Sequence, residues 1–360
     1  MSSVVLGTGS YVPENVVRNE DFLQNEFYSP EGEKLDRANE EIISKLYEIS
    51  GIRERRYVNK EHVSSDIATF AAEDALQSAG YDKENLDYLI VAHNLGDARY
   101  ENPRMDILPP IASRVKAKLG IENPYCVAYD IPFGCPGWVQ GMIQANYYIK
   151  AGDAKSALVI GSETLSRIVD PYDRDGMLFS DGAGATILGA VEGEKPTGIL
   201  SHLTRSDAIE HVNLLSMGKS NNPEYEPDKT FIKMNGRKLY EYALTNVPQL
   251  VKDTVEKSGV AAEDIKKILI HQANEKMDEA IVKRFFRLYG VRNIPDKMMP
   301  LTLDKFGNNS VATIPIMYDL ILKGKMEGQA INPGDHIVFT SVGAGMNINA
   351  IVYKTPEQGK

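Results

Sequence analysis

Cysteine is almost missing from this chain of 360 residues, with Cys126 and Cys135 the whole complement. Two thiols nine residues apart cannot make a disulfide framework, so a small cross-linked scaffold is excluded and each needs its own explanation, as core packing or as chemistry. Long apolar runs are missing too. Stretches such as 88–92 and 157–160 are strand-length, far short of the ~18 residues a membrane span requires. Positive charge is in deficit: 40 Lys and Arg face 50 Asp and Glu, a formal net charge of −10 that argues against nucleic acid or an anionic membrane as the main partner. The opening MSSVVLGTGSYVPENVV has no basic stretch followed by a long apolar one and reads as a strand and turn, so a cytoplasmic protein is expected. What remains is an ordinary globular composition, 42% hydrophobic and 25% charged, in a chain long enough for two cores at about 150 residues each.

Apolar, β-branched runs bounded by Gly or Asp recur at 4–6, 88–92, 157–160, 185–191, 268–270, 337–340 and 347–353. Helical periodicity lies between several of them, at 65–79, 239–258 and 274–289. Alternating strands and helices predict an α/β protein with covered sheets.

The chain also repeats itself. NLDYLIVAHN, then FGCPGWVQGMIQANYYIKAGDAKSALVIGSE, is echoed by IKKILIHQAN, then FGNNSVATIPIMYDLILKGK and GDHIVFTSVGAG. The copies align Phe133-Gly134-Cys135 with Phe306-Gly307-Asn308. A duplication is expected, with halves 1–195 and 196–360 and an irregular connection over 201–235. Two loop-like inserts, 28–45 and 95–108, read as solvated loops before lids or interface arms.

Cys135 stands between a Phe-Gly turn and Pro136, a residue favoured at the first helical position. The spacing therefore predicts a thiol at a helix N-terminus, where dipole and free N–H groups favour the nucleophilic thiolate. His271 ends an apolar strand, at the sheet edge where α/β sites form. Asn308 occupies the turn equivalent to that of Cys135. Taken singly, a packed cysteine, a structural histidine and a turn asparagine are the bland readings. The duplication weakens them together, because pseudo-twofold packing would bring all three to corresponding sheet edges. A thiolate with two neutral donors suits acyl transfer, with Cys attacking a thioester and His and Asn holding the oxyanion.

From GTGSYVPENVVRN through DIPFGCPGWVQG, GSETLSRIVDPYDR, FSDGAGATILGA and FIKMNGRKLYEYA to HQAN, FGNNSVATIP and SVGAGMN, the chain resembles 3-oxoacyl-(acyl-carrier-protein) synthase III of the thiolase superfamily. The resemblance implies a duplicated, five-layered αβαβα fold, a homodimer, no cofactor or metal, and acyl-CoA and acyl-carrier protein as partners. It implies Cys135 as the acyl-bearing nucleophile, and His271 and Asn308 as the pair that stabilises a decarboxylating malonyl thioester. The backbone N–H groups of Cys135 and Ala344 would form the oxyanion hole, Arg174 would pack on the CoA adenine, and Gly236 would touch the pantetheine arm.

Lys45 and Ile49 stand where the family commonly has a tryptophan and an arginine for CoA, and Cys-Pro-Gly replaces Cys-Ala-Gly. A carrier-bound donor is therefore expected to serve better than free acyl-CoA. Lys276, Lys283 and Arg284 share one face of the helix after HQAN and match the family's carrier-docking surface. The competing reading is an acyltransferase or acyl–acyl condensing relative that works without malonyl decarboxylation.

Overall fold

The computed structural model describes residues 1–102, 104–226 and 228–357. Nine strands form its two main sheets. The first contains β1 (Ser2–Tyr11), β2 (Tyr88–Ala92), β3 (Val127–Ile131), β4 (Ser156–Thr164) and β5 (Asp181–Val191), in the order β1-β5-β4-β2-β3. The second contains β6 (Gly198–Ser206), β7 (Ile265–Ile270), β8 (His336–Gly343) and β9 (Asn347–Lys354), in the order β7-β8-β9-β6.

The pairing repeats position by position. In each half a parallel pair (β2 with β4, β7 with β8) is followed by two antiparallel neighbours (β5 and β1, β9 and β6), and only β3 lacks a counterpart. Strand cores such as 89–92, 157–160 and 268–270 are continuous apolar runs because helices cover both faces of each sheet.

Seven helices supply those covers: α1 (Asn39–Ser50), α2 (Ser64–Ala79), α3 (Ile111–Leu119), α4 (Gly137–Ala151), α5 (Gly236–Ser258), α6 (Glu275–Arg287) and α7 (Thr313–Leu322). Helices α4 and α7 lie between the sheets, in a core that joins Ile90 and Leu188 of the first to Leu269, Phe339 and Ile351 of the second. Trp138 of α4 meets Phe339 of β8 edge-on at 5.5 Å. Helices α2 and α3 cover the outer face of the first sheet, and α5 and α6 that of the second. The layers thus run αβαβα, the architecture the resemblance implied. Among the described residues no helix is long and apolar enough to cross a membrane.

Two expectations need correction. The supposed irregular connection over 201–235 holds most of β6 and a small hairpin of Leu215–Gly218 with Phe231–Met234. SHLTRS hides a strand because its polar residues are partly exposed, so it lacks an apolar run. The 28–45 insert is not wholly loop either, since α1 begins at Asn39.

Candidate active site

Cys135 lies between the end of β3 and the start of α4. Gly134 makes the turn at φ +68°, and a Cβ there would sit 2.9 Å from the Ala344 amide nitrogen. A Cβ on Gly343 would sit 2.7 Å from the Cys135 amide nitrogen, so two glycines let the Cys135 and Ala344 backbones close on each other. Pro136 is the helix N-cap rather than its first residue, which leaves Cys135 just ahead of α4.

The thiol is not the resting thiolate that its position suggested. Burial pushes it up to about 12, the Glu163 carboxylate adds to that rise, and a hydrogen bond from the Ser310 hydroxyl opposes it. Desolvation outweighs the helix terminus, so the proton must leave as the thiol attacks.

His271 follows β7 and is tied by its backbone N–H to the Thr340 carbonyl at 3.0 Å. Its ring is buried, with no hydrogen-bond partner for Nδ1 among the described residues. Burial pulls it down to about 4, with the Ser310 carbonyl opposing, so the imidazole is neutral at physiological pH. Gln272 and Asn274 of HQAN also hold the local structure. Gln272 donates to the Pro300 carbonyl at 2.7 Å and accepts from the Thr302 N–H at 2.9 Å, while Asn274 caps α6 by accepting from the Met277 N–H at 3.0 Å.

Asn308 lies in the second Phe-Gly turn, where Gly307 has φ +61°. Its N–H bonds to Leu178 and its carbonyl to the Ser180 N–H, both at 2.9 Å. Side-chain Oδ1 accepts from the Ser310 N–H at 2.9 Å, which leaves Nδ2 as the end available to a ligand.

Cys135, His271, Asn308 and Ala344 line one cavity of about 320 Å³ whose other walls are largely apolar, among them Leu165, Ile168, Phe179, Met217 and Ile232. It shares Ser216, Met234, Leu239, Ala273 and Met277 with an outer cleft of about 1040 Å³, along which Ile49, Arg174 and Gly236 lie. Both inserts reach these spaces: Met105 lines the inner cavity, and Pro30 and Glu31 the cleft.

The remaining expected residues lie elsewhere. Lys45 lines neither space and pairs with Glu41 at 2.7 Å along α1. Lys276, Lys283 and Arg284 are exposed on α6, as their spacing required. Lys283 pairs with Glu279 at 2.7 Å, which offsets part of the positive charge of this face, and Arg284 donates to the Leu244 carbonyl at 2.9 Å while keeping its charge.

Three polar residues of the site escaped the sequence reading: Asn94, Glu163 and Ser310. The one signal was a glutamate inside SALVIGSET, a strand buried at every position. Burial pushes Glu163 up to about 7, against the donors of Asn94. Because the folded pKa lies above the ordinary 4.5, the folded state holds the proton more tightly between those values, and stability is lost as pH rises through them. Glu163→Gln should remove that loss, shrinking the difference in unfolding free energy between pH 5 and pH 8 by about 2.5 kcal/mol. Urea titrations at the two pH values measure it, and an unchanged difference would contradict it.

The fold and this cavity define a thiolase-type protein with a cysteine, a histidine and an asparagine around one apolar chamber. The pattern described as 3-oxoacyl-[acyl-carrier-protein] synthase III matches residues 129–208, and its C-terminal counterpart matches 255–355. The chain is 34% identical to beta-ketoacyl-[acyl-carrier-protein] synthase III 1 of Vibrio vulnificus, over 96% of this chain and 97% of that one. It is 30% identical to beta-ketoacyl-[acyl-carrier-protein] synthase III of Erythrobacter litoralis, over 97% and 98%. The crystal structure of 3-oxoacyl-[acyl-carrier-protein] synthase III from Aquifex aeolicus superposes with a TM-score of 0.79 at 30% identity, covering 98% of this chain and all of that one. The chain belongs to the 3-oxoacyl-(acyl-carrier-protein) synthase III family, and it is an acyltransferase of the condensing type.

Proposed function

We propose that this enzyme joins an acyl group carried on Cys135 to the two-carbon unit of malonyl-acyl-carrier protein, in fatty-acid or related secondary-metabolite synthesis. The Cys135 thiol displaces the thiol of an acyl donor, acyl-CoA or an acyl-carrier protein. The malonyl thioester then loses CO2, its C2 carbanion attacks the Cys135-bound carbonyl, and the Cys135 sulfur leaves, giving a 3-oxoacyl thioester. The backbone N–H groups of Cys135 and Ala344 serve as donors to the acyl carbonyl oxygen, and His271 and Asn308 to the malonyl thioester oxygen. Arg174 and Gly236, along the outer cleft, meet the CoA or pantetheine arm. The observation that carries this reading is the meeting of Cys135, a neutral His271 and a half-satisfied Asn308 at one cavity. Intact-protein mass spectrometry with acyl donors, followed by CO2 release from malonyl-carrier protein, tests it.

The carrier protein docks on the α6 face bearing Lys276, Lys283 and Arg284, a local positive patch on a chain of net charge −10. A homodimer forms through β3, an edge strand whose Val127 is 48% exposed beside Tyr125 at 85%. The proteins meet in the cytoplasm.

The cavity suits a medium acyl chain better than acetyl. Its 320 Å³ holds roughly ten groups of water or methylene size, which suits a chain of about six to ten carbons. Each buried methylene contributes about 0.8 kcal/mol, or roughly fourfold in affinity. In a series of thioesters, kcat/KM for Cys135 acylation should therefore be higher for hexanoyl than for acetyl, by about 250-fold for four more buried methylenes. Highest activity with acetyl donors would contradict the chain-length reading and leave the condensation intact.

A further inference from the structure

A second polar chain, separate from His271 and Asn308, reaches the Cys135 sulfur. Ser310 Oγ lies 3.2 Å from Cys135 Sγ and 3.0 Å from Asn94 Nδ2. Asn94 Nδ2 and the Asn94 backbone N–H each lie 2.6 Å from an oxygen of Glu163. Glu163 is 1% exposed and Ser310 4%, while Asn94 between them is half-buried at the cavity wall.

Its polarity follows from donor arithmetic. Above pH 7, where Glu163 is mainly ionised, its carboxylate only accepts and obliges Asn94 to turn its NH2, not its carbonyl oxygen, inward. The second hydrogen of that NH2 goes to Ser310 Oγ. A serine hydroxyl that accepts there has its own hydrogen left for the sulfur. The Ser310 backbone is held for the task as well: φ is +51°, a region a non-glycine residue seldom adopts, and the Asn308 side chain fixes it by accepting its N–H. The charge of Glu163 works against a thiolate at Cys135. Its burial beside the nucleophile is therefore of use only through the orientation it imposes.

We propose that Glu163 and Asn94 are positioning residues that fix the Ser310 hydroxyl as a hydrogen-bond donor to Cys135 Sγ. Ser310 thereby favours the thiolate when the thiol attacks an acyl donor and again when the sulfur is expelled in condensation. The inference rests on Cys135 as the acyl-bearing thiol, and its test uses no acyl donor, so the two fail separately.

The measurement is the rate of Cys135 alkylation by iodoacetamide between pH 7 and 9, read by peptide mass spectrometry on the full-length enzyme. In that range the rate follows the thiolate fraction. Loss of a hydrogen bond to the charged form should shift the profile by about one pH unit, so Ser310→Ala should alkylate about tenfold more slowly at each pH. Ser310→Thr, which keeps the hydroxyl, should stay near the unmodified rate. Asn94→Ala should slow the reaction in the same sense and add little on top of Ser310→Ala. Glu163→Gln should also slow it, although loss of the negative charge alone would speed it. A site merely loosened by substitution would expose the sulfur and alkylate faster. An unchanged or faster rate in Ser310→Ala, additive effects of Asn94→Ala and Ser310→Ala, or a faster rate in Glu163→Gln would each overturn the proposal. Should Ser310→Ala fail to fold, Asn94→Ala and Glu163→Gln still decide it.

Discussion

Cys135→Ala should fold normally and take up no acyl mass from any donor, and condensation should fall by about 10⁴ or more, as when other enzymes lose a nucleophile. The expectation of normal folding rests on what the change removes. One sulfur atom faces a cavity, while the turn around it is held by Gly134 and by bonds from the Gly137 N–H to the Gly134 carbonyl and from the Gln140 N–H to the Pro136 carbonyl, both at 2.9 Å. The complete loss rests on the absence of a substitute among the cysteines. Cys126 packs in the apolar layer between the first sheet and α2 and α3, does not line the cavity, and has its own thiol pushed up by burial. Intact mass after incubation with an acyl thioester gives the answer directly. An acyl adduct on the alanine variant, or one mapped to Cys126, would remove Cys135 from the mechanism.

Much of this site was legible because each of its three principal residues stands at a place that local rules mark. Cys135 and Asn308 follow Phe-Gly turns in matching copies, and His271 ends an apolar strand. The strand cores were legible for the same reason, being apolar on both faces. Their ends were not. β1 reads as 4–6 from its apolar run but spans Ser2–Tyr11, because Gly7 and Gly9 interrupt the run where α2 presses on the strand. A Cβ on Gly9 would lie 2.3 Å from the Ala71 carbonyl oxygen. The relay through Ser310 stayed hidden for a different reason. Asn94 meets Glu163 across 69 positions and Ser310 across 216, and no periodicity reports such a contact. The protonation of Cys135 was misjudged on the same ground, since a helix terminus is a local feature and burial a tertiary one.

His271→Ala and Asn308→Ala should separate the two half-reactions. Removing one preorganised donor to a developing oxyanion costs about 10²–10³ in rate, and that loss should fall on malonyl decarboxylation and condensation. Acylation of Cys135 should change by less than about tenfold, since the oxyanion donors proposed for it are the backbone groups of Cys135 and Ala344, which neither substitution removes. The resting charge of the ring supports the division. With its pKa pulled down to about 4, His271 is neutral and carries one N–H to give, so decarboxylation should show no fall in rate as pH drops through the ordinary histidine value of 6.5. Asn308 needs a second variant, because Asn308→Ala also deprives the Ser310 N–H of its acceptor. Asn308→Asp keeps that acceptor and replaces the donating NH2 with an oxygen, so a loss of decarboxylation in both variants isolates the missing donor from any change in the turn. Single-turnover acylation by mass spectrometry and CO2 release from malonyl-carrier protein, measured on the same preparations, supply the two rates. An equal loss of both in His271→Ala would mean that the ring chiefly takes the proton from Cys135, and the neutral imidazole would then be a base for acylation rather than a donor to the malonyl oxygen.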